Sequence, residues 1–417
     1  MNKLLVLFVS VCFYFTGYAQ ENNDTIKISL IDAVDMALKN NPNLRAYYYD
    51  INSLEGIKRQ AGLLPNPETD LEIENILGGK ELNGFTGAEY TLSASYLFEL
   101  GGKRNNRVNL VNEEINSAKS NYELLKLDVI SQVKKAFIEL VKIQHQIKLQ
   151  HKFVNLNEEI LKIISERVKA GKTSPAEESK EKFALMNSRL ELQRFQRDYL
   201  STQTKINSLC GTSGKNFVPS SDLFDALISP PNKEEIFHEI ENIPSIKYLN
   251  NETNIRKAQL ELEESNSVPD LTASLGIRYL NELKTNSFVA GLSMPLPFFN
   301  RNQGNIQSAE IKVRQMEELI NAQKLSIIES LTASFNNLVI AYNNAVQFNE
   351  NILSESENAY EITSKGYLQG RFAFIDMLDA QRTLFDTQAQ YLLELSEYYN
   401  SIIEIENLTG KNFLMIN

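Results

Sequence analysis

Apolar and polar residues alternate with a period of two in four short stretches of the chain, and recur with a period near 3.5 in two very long ones. Over 69–75, Thr69, Leu71 and Ile73 alternate with Asp70, Glu72 and Glu74. Ala88, Tyr90, Leu92, Ala94, Tyr96 and Phe98 then alternate with Glu89, Thr91, Ser93 and Ser95. Leu271, Ala273, Leu275, Ile277 and Tyr279 alternate with Thr272, Ser274, Gly276 and Arg278. A fourth run sets Phe288, Ala290, Leu292, Met294 and Leu296 against Val289, Gly291 and Ser293. Successive side chains of a strand point to opposite faces, so each run predicts a strand with one apolar and one polar side. In the first strand the polar side is acidic, with Glu68, Asp70, Glu72 and Glu74.

Elsewhere the period is helical. No glycine or proline interrupts 103–170 or 305–365, each a run of roughly 60 residues or more that reaches about 90 to 100 Å as a helix. Val108, Val111, Ile115, Ala118, Tyr122, Leu125 and Val129 recur at alternating steps of three and four, as do Ile306, Ala309, Val313, Met316 and Ile320. Such spacing makes the seam of a coiled coil. Past Val129 the steps change order through Val133, Ala136, Leu140, Ile143 and Ile147, a stutter that straightens the supercoil. Gly171 and Gly370 close the two runs, and a second helix follows each, so two antiparallel helical hairpins are expected.

The chain repeats itself. Glu158 and Glu357, Ser165 and Ser364, Gly171 and Gly370, Leu185 and Leu384, Tyr199 and Tyr398, Ile206 and Ile405, Leu209 and Leu408, and Gly211 and Gly410 share one offset of 199. Each half reads helix, strand, strand, long helix, reversal, helix. The first repeat covers 20–215, with a β-hairpin at 68–99 and a helical hairpin at 104–211. The second covers 216–417, with a β-hairpin at 269–297 and a helical hairpin at 302–410. Gly214, Pro219, Pro230 and Pro231 punctuate the boundary between them.

Composition narrows the class. Of 417 residues 42% are hydrophobic, which excludes a chain disordered throughout. Residues 1–19 read as a secretory signal: Lys3, an apolar run from Leu4 to Phe15, and a small-x-small pattern at Gly17-Tyr18-Ala19. Lipidation is disfavoured, because Val11 precedes Cys12 and the apolar run continues past it. The leader carries only Lys3, so losing it takes the net charge from −11 to −12, and nucleic acid is a poor partner. The mature chain keeps one cysteine, Cys210, which leaves no disulfide framework. His145, His151 and His238 have no zinc or copper spacing and read as solvated residues; no metal or cofactor is expected. Nor does any nucleophile elbow or phosphate loop suggest an enzyme.

No segment is apolar for the ~20 residues that a membrane-spanning helix needs, so a membrane location rests on the strands. The neighbouring helices are committed to their own seams and leave no layer to cover the apolar side of a soluble sheet. Four strands cannot close a barrel, and open edges in lipid cost several kcal/mol per unsatisfied group. Copies must therefore share one barrel, with their number left open by the strands alone.

Two strand-to-helix corners carry a family likeness: Glu99-Leu100-Gly101-Gly102-Lys103-Arg104, and 296–305 with Leu296-Pro297-Phe298-Phe299-Asn300-Arg301-Asn302-Gln303-Gly304-Asn305. With them the chain resembles the outer-membrane factor family typified by TolC, and within it the heavy-metal-efflux branch that includes CzcC and CusC. The resemblance implies an α+β membrane protein: a homotrimer whose protomers each give four transmembrane strands to a 12-stranded barrel, continued by a periplasmic helical barrel. It implies a periplasmic adaptor and an inner-membrane pump of the resistance-nodulation-division class as partners, and outer-membrane lipid around the barrel. It also implies a pore gate at Tyr367, Asp376 and Asp379, and a latch between the hairpins at Glu177. The family's basic latch partner falls on Phe372, with Arg371 one residue earlier. Val168, Ala170, Gly171, Ser174, Leu368 and Gly370 are expected to meet the adaptor at the hairpin tips. The rival readings are a channel for drugs, organic compounds or secreted protein, and a periplasmic coiled-coil scaffold or adaptor without a pore.

Overall fold

A computed structural model describes residues 25–78, 84–220, 223–225, 227–238 and 240–414. The expected signal at 1–19 lies outside the described residues. In chain order the elements are β1 (Thr25–Ile28), α1 (Leu30–Asn40), α2 (Pro42–Ala61), β2 (Glu68–Glu74), β3 (Glu89–Phe98), α3 (Lys103–Lys169), α4 (Pro175–Leu209), β4 (Asn216–Pro219) and α5 (Lys233–Phe237). There follow α6 (Pro244–Asn266), β5 (Leu271–Leu280), β6 (Thr285–Ser293), α7 (Gln303–Gln347), α8 (Leu353–Leu368) and α9 (Phe374–Thr409).

Helix starts follow from local chemistry. Ser29 and Asp32 form a reciprocal capping box on α1, and Pro42, Pro175 and Pro244 occupy first-turn positions where a missing N–H costs nothing. The seam positions pack as the period predicts: Val111, Ile115, Val129, Val133, Ala136, Leu140 and Ile143 are buried along α3. Gly211 ends α4 at φ +62°, where a Cβ would come within 2.3 Å of the Asn40 carbonyl oxygen, so glycine alone allows α1 to approach this closely.

The second long run is not one α-helix. A π-helical turn at Phe348–Ile352 separates α7 from α8, and Ile352 is turned 42% into solvent. A wide turn of this kind rotates the helix face that follows it, which heptad counting does not reveal. The boundary segment also holds more than punctuation: β4 pairs in parallel with β1, Thr25 against Asn216 and Ile28 against Pro219. The fourth strand stops at Ser293, short of the expected Met294 and Leu296, because Pro295 and Pro297 have no N–H for the ladder.

One antiparallel sheet has the order β2-β3-β5-β6. Its register stacks Leu71, Leu92, Ile277 and Phe288 in one row across all four strands. The next row but one holds Thr69, Ala94, Leu275 and Ala290. The apolar side is bare: Leu71 is 68% exposed, Leu275 72% and Phe288 91%. The core lies instead among the helices, where α1, the middle of α3, the ends of α4 and α9, β4 and the second half of α7 surround Phe137, Phe217, Tyr398 and Tyr399. Along the hairpins α3 packs on α4 and α9, and α9 on α7 and α8. Among the described residues, no helix is long and apolar enough to cross a membrane.

Candidate functional site

Both hairpins reverse through the same loop. The Lys172 N–H donates to the Arg167 carbonyl and the Arg371 N–H to the Gly366 carbonyl, each at 2.8 Å, around Gly171 at φ +68° and Gly370 at φ +72°. This closure satisfies the last carbonyls of α3 and α8 and needs a left-handed residue at its centre. Ser174 then caps α4 by accepting from the Ala176 N–H, and Asp376 caps α9 by accepting from the Ala373 N–H at 2.9 Å.

The two tips are tied together through Tyr367. Its ring is 5% exposed, among Ile160, Ile164, Phe374 and Met377. Its hydroxyl donates to Glu177 Oε2 at 2.9 Å, and Thr173 donates to the same oxygen. Arg167, in the last turn of α3, lies over the ring face at 5.0 Å and donates to the carbonyls of Tyr367 and Leu368 at 3.5 and 3.4 Å. Burial first, then the Glu177 carboxylate, pushes the phenol pKa above its ordinary value, so the hydroxyl stays a donor. A hydrogen bond to a charged group contributes about 1.5–3 kcal/mol and a cation over a ring about 0.5–2 kcal/mol. Arg167 was not among the sequence candidates, because a basic residue in a last turn reads as a helix-dipole partner.

Other expected site residues divide. Within the chain Arg371 is exposed and not joined to Glu177; among the described residues it makes no ion pair. Phe372 lays its ring against Gly366, so closely that a Cβ there would collide with it. Asp376 and Asp379 are exposed one turn apart on α9. Asp379 also borders a groove of about 860 Å³ between α4 and α9, floored by Phe153 and Phe385 stacked at 4.1 Å. Ala170, Gly171, Ser174, Leu368 and Gly370 are exposed at the tips, whereas Val168 is half-buried against the Tyr367 cluster.

Further up the hairpins a polar layer is sealed inside. Gln381 on α9 donates to Asn157 on α3 at 2.6 Å, with both side chains buried. Glu181 on α4 is 0% exposed, neither carboxyl oxygen has a hydrogen-bond partner, and burial pushes its pKa up to about 7.

On the sheet, the acids are not equivalent. Arg278 of β5 reaches Glu74 and Glu89, each at 2.9 Å, and donates to Thr91. Glu68, Asp70 and Glu72 are exposed on the same polar side, and no ion pair holds them among the described residues. No cluster of three or more potential metal ligands occurs among the described residues. His145 is half-buried and stacks on Phe224 at 5.7 Å, contrary to the solvated position expected of it.

The described geometry has counterparts. The family model for outer membrane efflux protein matches residues 33–212 and 238–411. The cobalt-zinc-cadmium resistance protein CzcC of Cupriavidus metallidurans is 30% identical over 92% of this chain and 90% of its own length. The nickel and cobalt resistance protein CnrC of the same organism is 22% identical over 64% of this chain and 63% of its own. A solved structure of CusC superposes with a TM-score of 0.77 at 15% identity, covering 93% of this chain and 94% of that one.

Proposed function

The chain belongs to the outer membrane efflux protein family, and on that footing we propose that it is the passive exit duct of a tripartite export system carrying heavy-metal cations. The protein is an outer membrane efflux channel that extends into the periplasm. The observation that carries the cation reading is the two-sided sheet. Leu71, Leu92, Ile277 and Phe288 offer one side to lipid, while Glu68, Asp70 and Glu72 give the other an uncompensated negative charge. The names of its relatives CzcC and CnrC point to the same cargo class.

The functional unit is a homotrimer with a 12-stranded barrel. The order β2-β3-β5-β6 is antiparallel throughout, so its edge strands run in opposite directions, and β6 of one copy can pair with β2 of the next without breaking the alternation. The helical flanks support the same closure. Phe183, Met186 and Leu190 on α4 are exposed by 62–66%, and Leu325 and Ile340 on α7 by 70% and 58%. A proton-driven pump of the resistance-nodulation-division class in the inner membrane does the coupled work, and an adaptor joins it to the tips at Ala170, Gly171, Ser174, Leu368 and Gly370. Tyr367, Glu177 and Arg167 hold the hairpins together at the closed end, with Asp376 and Asp379 as the acidic constriction.

Deleting the gene and comparing growth on cobalt, zinc, cadmium, copper and silver salts and on a drug panel tests the cargo. Hypersensitivity to one or more metals is expected. Unchanged metal tolerance together with sensitivity to organic drugs would overturn it. Cysteines at Ser174 and Leu368 should cross-link to the adaptor; trimers that never do so would remove the tip contact.

A further inference from the structure

Strands β2, β3, β5 and β6 carry one basic residue, Arg278, against the acids Glu68, Asp70, Glu72, Glu74 and Glu89. Its whole guanidinium is engaged. Nε donates to Thr91 Oγ1 at 2.9 Å, Nη1 donates to Glu89 Oε2 at 2.9 Å, and Nη2 lies 2.9 Å from Glu74 Oε2. Thr91 is 4% exposed and holds the group from behind, while Asn75, at φ +57°, donates to the other Glu89 oxygen at 3.1 Å.

Glu74 and Glu89 are partners in the register of β2 and β3, and like charges set directly opposite repel. Oε2 of Glu74 is shut off from water and accepts no hydrogen bond among the described residues, so the guanidinium is what answers its charge. The set stands at the turn end of the sheet, beyond Glu68, Asp70 and Glu72; the opposite end leads into the helices. On the duct reading above, which this inference rests on, the polar side faces the bore and the turns face the cell exterior. A cation arriving from the helices therefore passes the three unpaired acids first and this set last.

We propose that Arg278 is a resident counter-cation that keeps the exit carboxylates from capturing the metal cation in transit. Two opposed carboxylates with an oxygen sealed from water offer a divalent ion the oxygen ligands it needs. Conduction requires that the last stop hold the ion weakly enough to let it leave. Arginine suits the task because its charge is permanent and its planar fork engages both carboxylates at once. Two carboxylates against one guanidinium leave a net negative charge, so the set still attracts cations while offering them no free pair of oxygens.

Full-length trimers in detergent at low ionic strength are titrated with cobalt(II) chloride and followed by calorimetry. R278Q should gain a cobalt(II) site that wild type lacks, and R278Q/E74Q/E89Q should lose it again. R278K keeps the charge between the strands, but one ammonium cannot hold both carboxylates, so it should show the same site at several-fold weaker affinity. If neither R278Q nor R278K binds cobalt beyond wild type, Arg278 only steadies the strands and the proposal falls. The duct reading is judged separately, in proteoliposomes, with Cys210 buried and silent. There E72C should react with a charged, water-soluble maleimide and L92C should not. Equal labelling of the two, or labelling of L92C alone, would overturn that reading whatever cobalt does.

Discussion

Lys134 on α3 and Glu406 on α9 stand 2.7 Å apart with side chains 3% and 6% exposed, and so join the two halves of the chain through a buried ion pair. Lys134 also donates to Asn412 at 3.1 Å, and the other oxygen of Glu406 accepts from the N–H groups of Phe413 and Leu414. One pair thus fixes the long helix of the first half, the last helix of the second, and the segment that follows it.

Removing one partner leaves the other as an uncompensated buried charge. Lys134→Met or Glu406→Leu alone should cost about 3–5 kcal/mol, and the double replacement much less than the sum. Thermal unfolding of the detergent-solubilised protein checks this; additive losses would show that the pair is not a unit.

At the tips, Tyr367→Phe removes the hydrogen bond to Glu177 and keeps the ring under Arg167. The closed contact should weaken by about 1.5–3 kcal/mol, and channels in planar bilayers should open more often. Arg167→Ala should act more strongly, because it also removes the carbonyl contacts and the ring-face interaction. Single-channel records that match wild type for both variants would place the closing contact elsewhere.

Among the described residues Asp379 makes no hydrogen bond or ion pair and Asp376 makes one, as a helix cap, so their replacements should separate. Asp379→Asn should lower cation preference at unchanged stability. Asp376→Asn should do the same with a cost of up to about 1 kcal/mol from the weakened cap. Reversal potentials in a salt gradient, with unfolding midpoints alongside, read both effects. An unchanged cation preference in the double variant would mean that the constriction lies at other residues.

Glu181 makes stability depend on pH. When unfolded it releases its proton near the ordinary 4.5, whereas when buried it keeps it to about 7. Folding therefore takes up a proton between those values: the contribution is full below about 4.5, shrinks as pH rises, and is gone above about 7. The loss is on the order of 3 kcal/mol. Tyr360 on α8 lies near this carboxyl: burial raises its phenol pKa, a hydrogen bond to Ser364 lowers it, and Glu181 and Glu159 raise it further, while among the described residues no ion pair compensates the Glu181 charge once formed. Glu181→Gln should flatten the change in unfolding temperature between pH 5 and pH 8. Wild-type midpoints equal at the two pH values would refute the assignment.

Much of the architecture was legible because it follows from short-range periods. The alternation of Tyr90, Leu92 and Ala94 with Thr91 and Ser93 specifies a strand whatever it pairs with, and the seam from Val108 to Val129 specifies a helix face. Pro295 and Pro297 also stand in the sequence, but the alternation of Phe288, Ala290, Leu292, Met294 and Leu296 runs on past them, whereas the ladder ends at Ser293. The parallel pairing of Thr25 with Asn216 was not legible, since four residues carry too little pattern to announce a strand. The π-turn at Phe348–Ile352 was hidden for another reason: no residue type marks it.

By itself, then, the sequence determined the elements, the doubled plan and the two-sided strands, because these depend on neighbours a few residues away. Tertiary structure alone decided which distant groups meet. Arg167 with Tyr367, Arg278 with Glu74 and Glu89, and Lys134 with Glu406 are contacts between halves or between strands far apart in the chain. The burial of Glu181 is of the same kind. A charge is placed by the packing of whole helices, and that packing balances many weak contacts that no local pattern records.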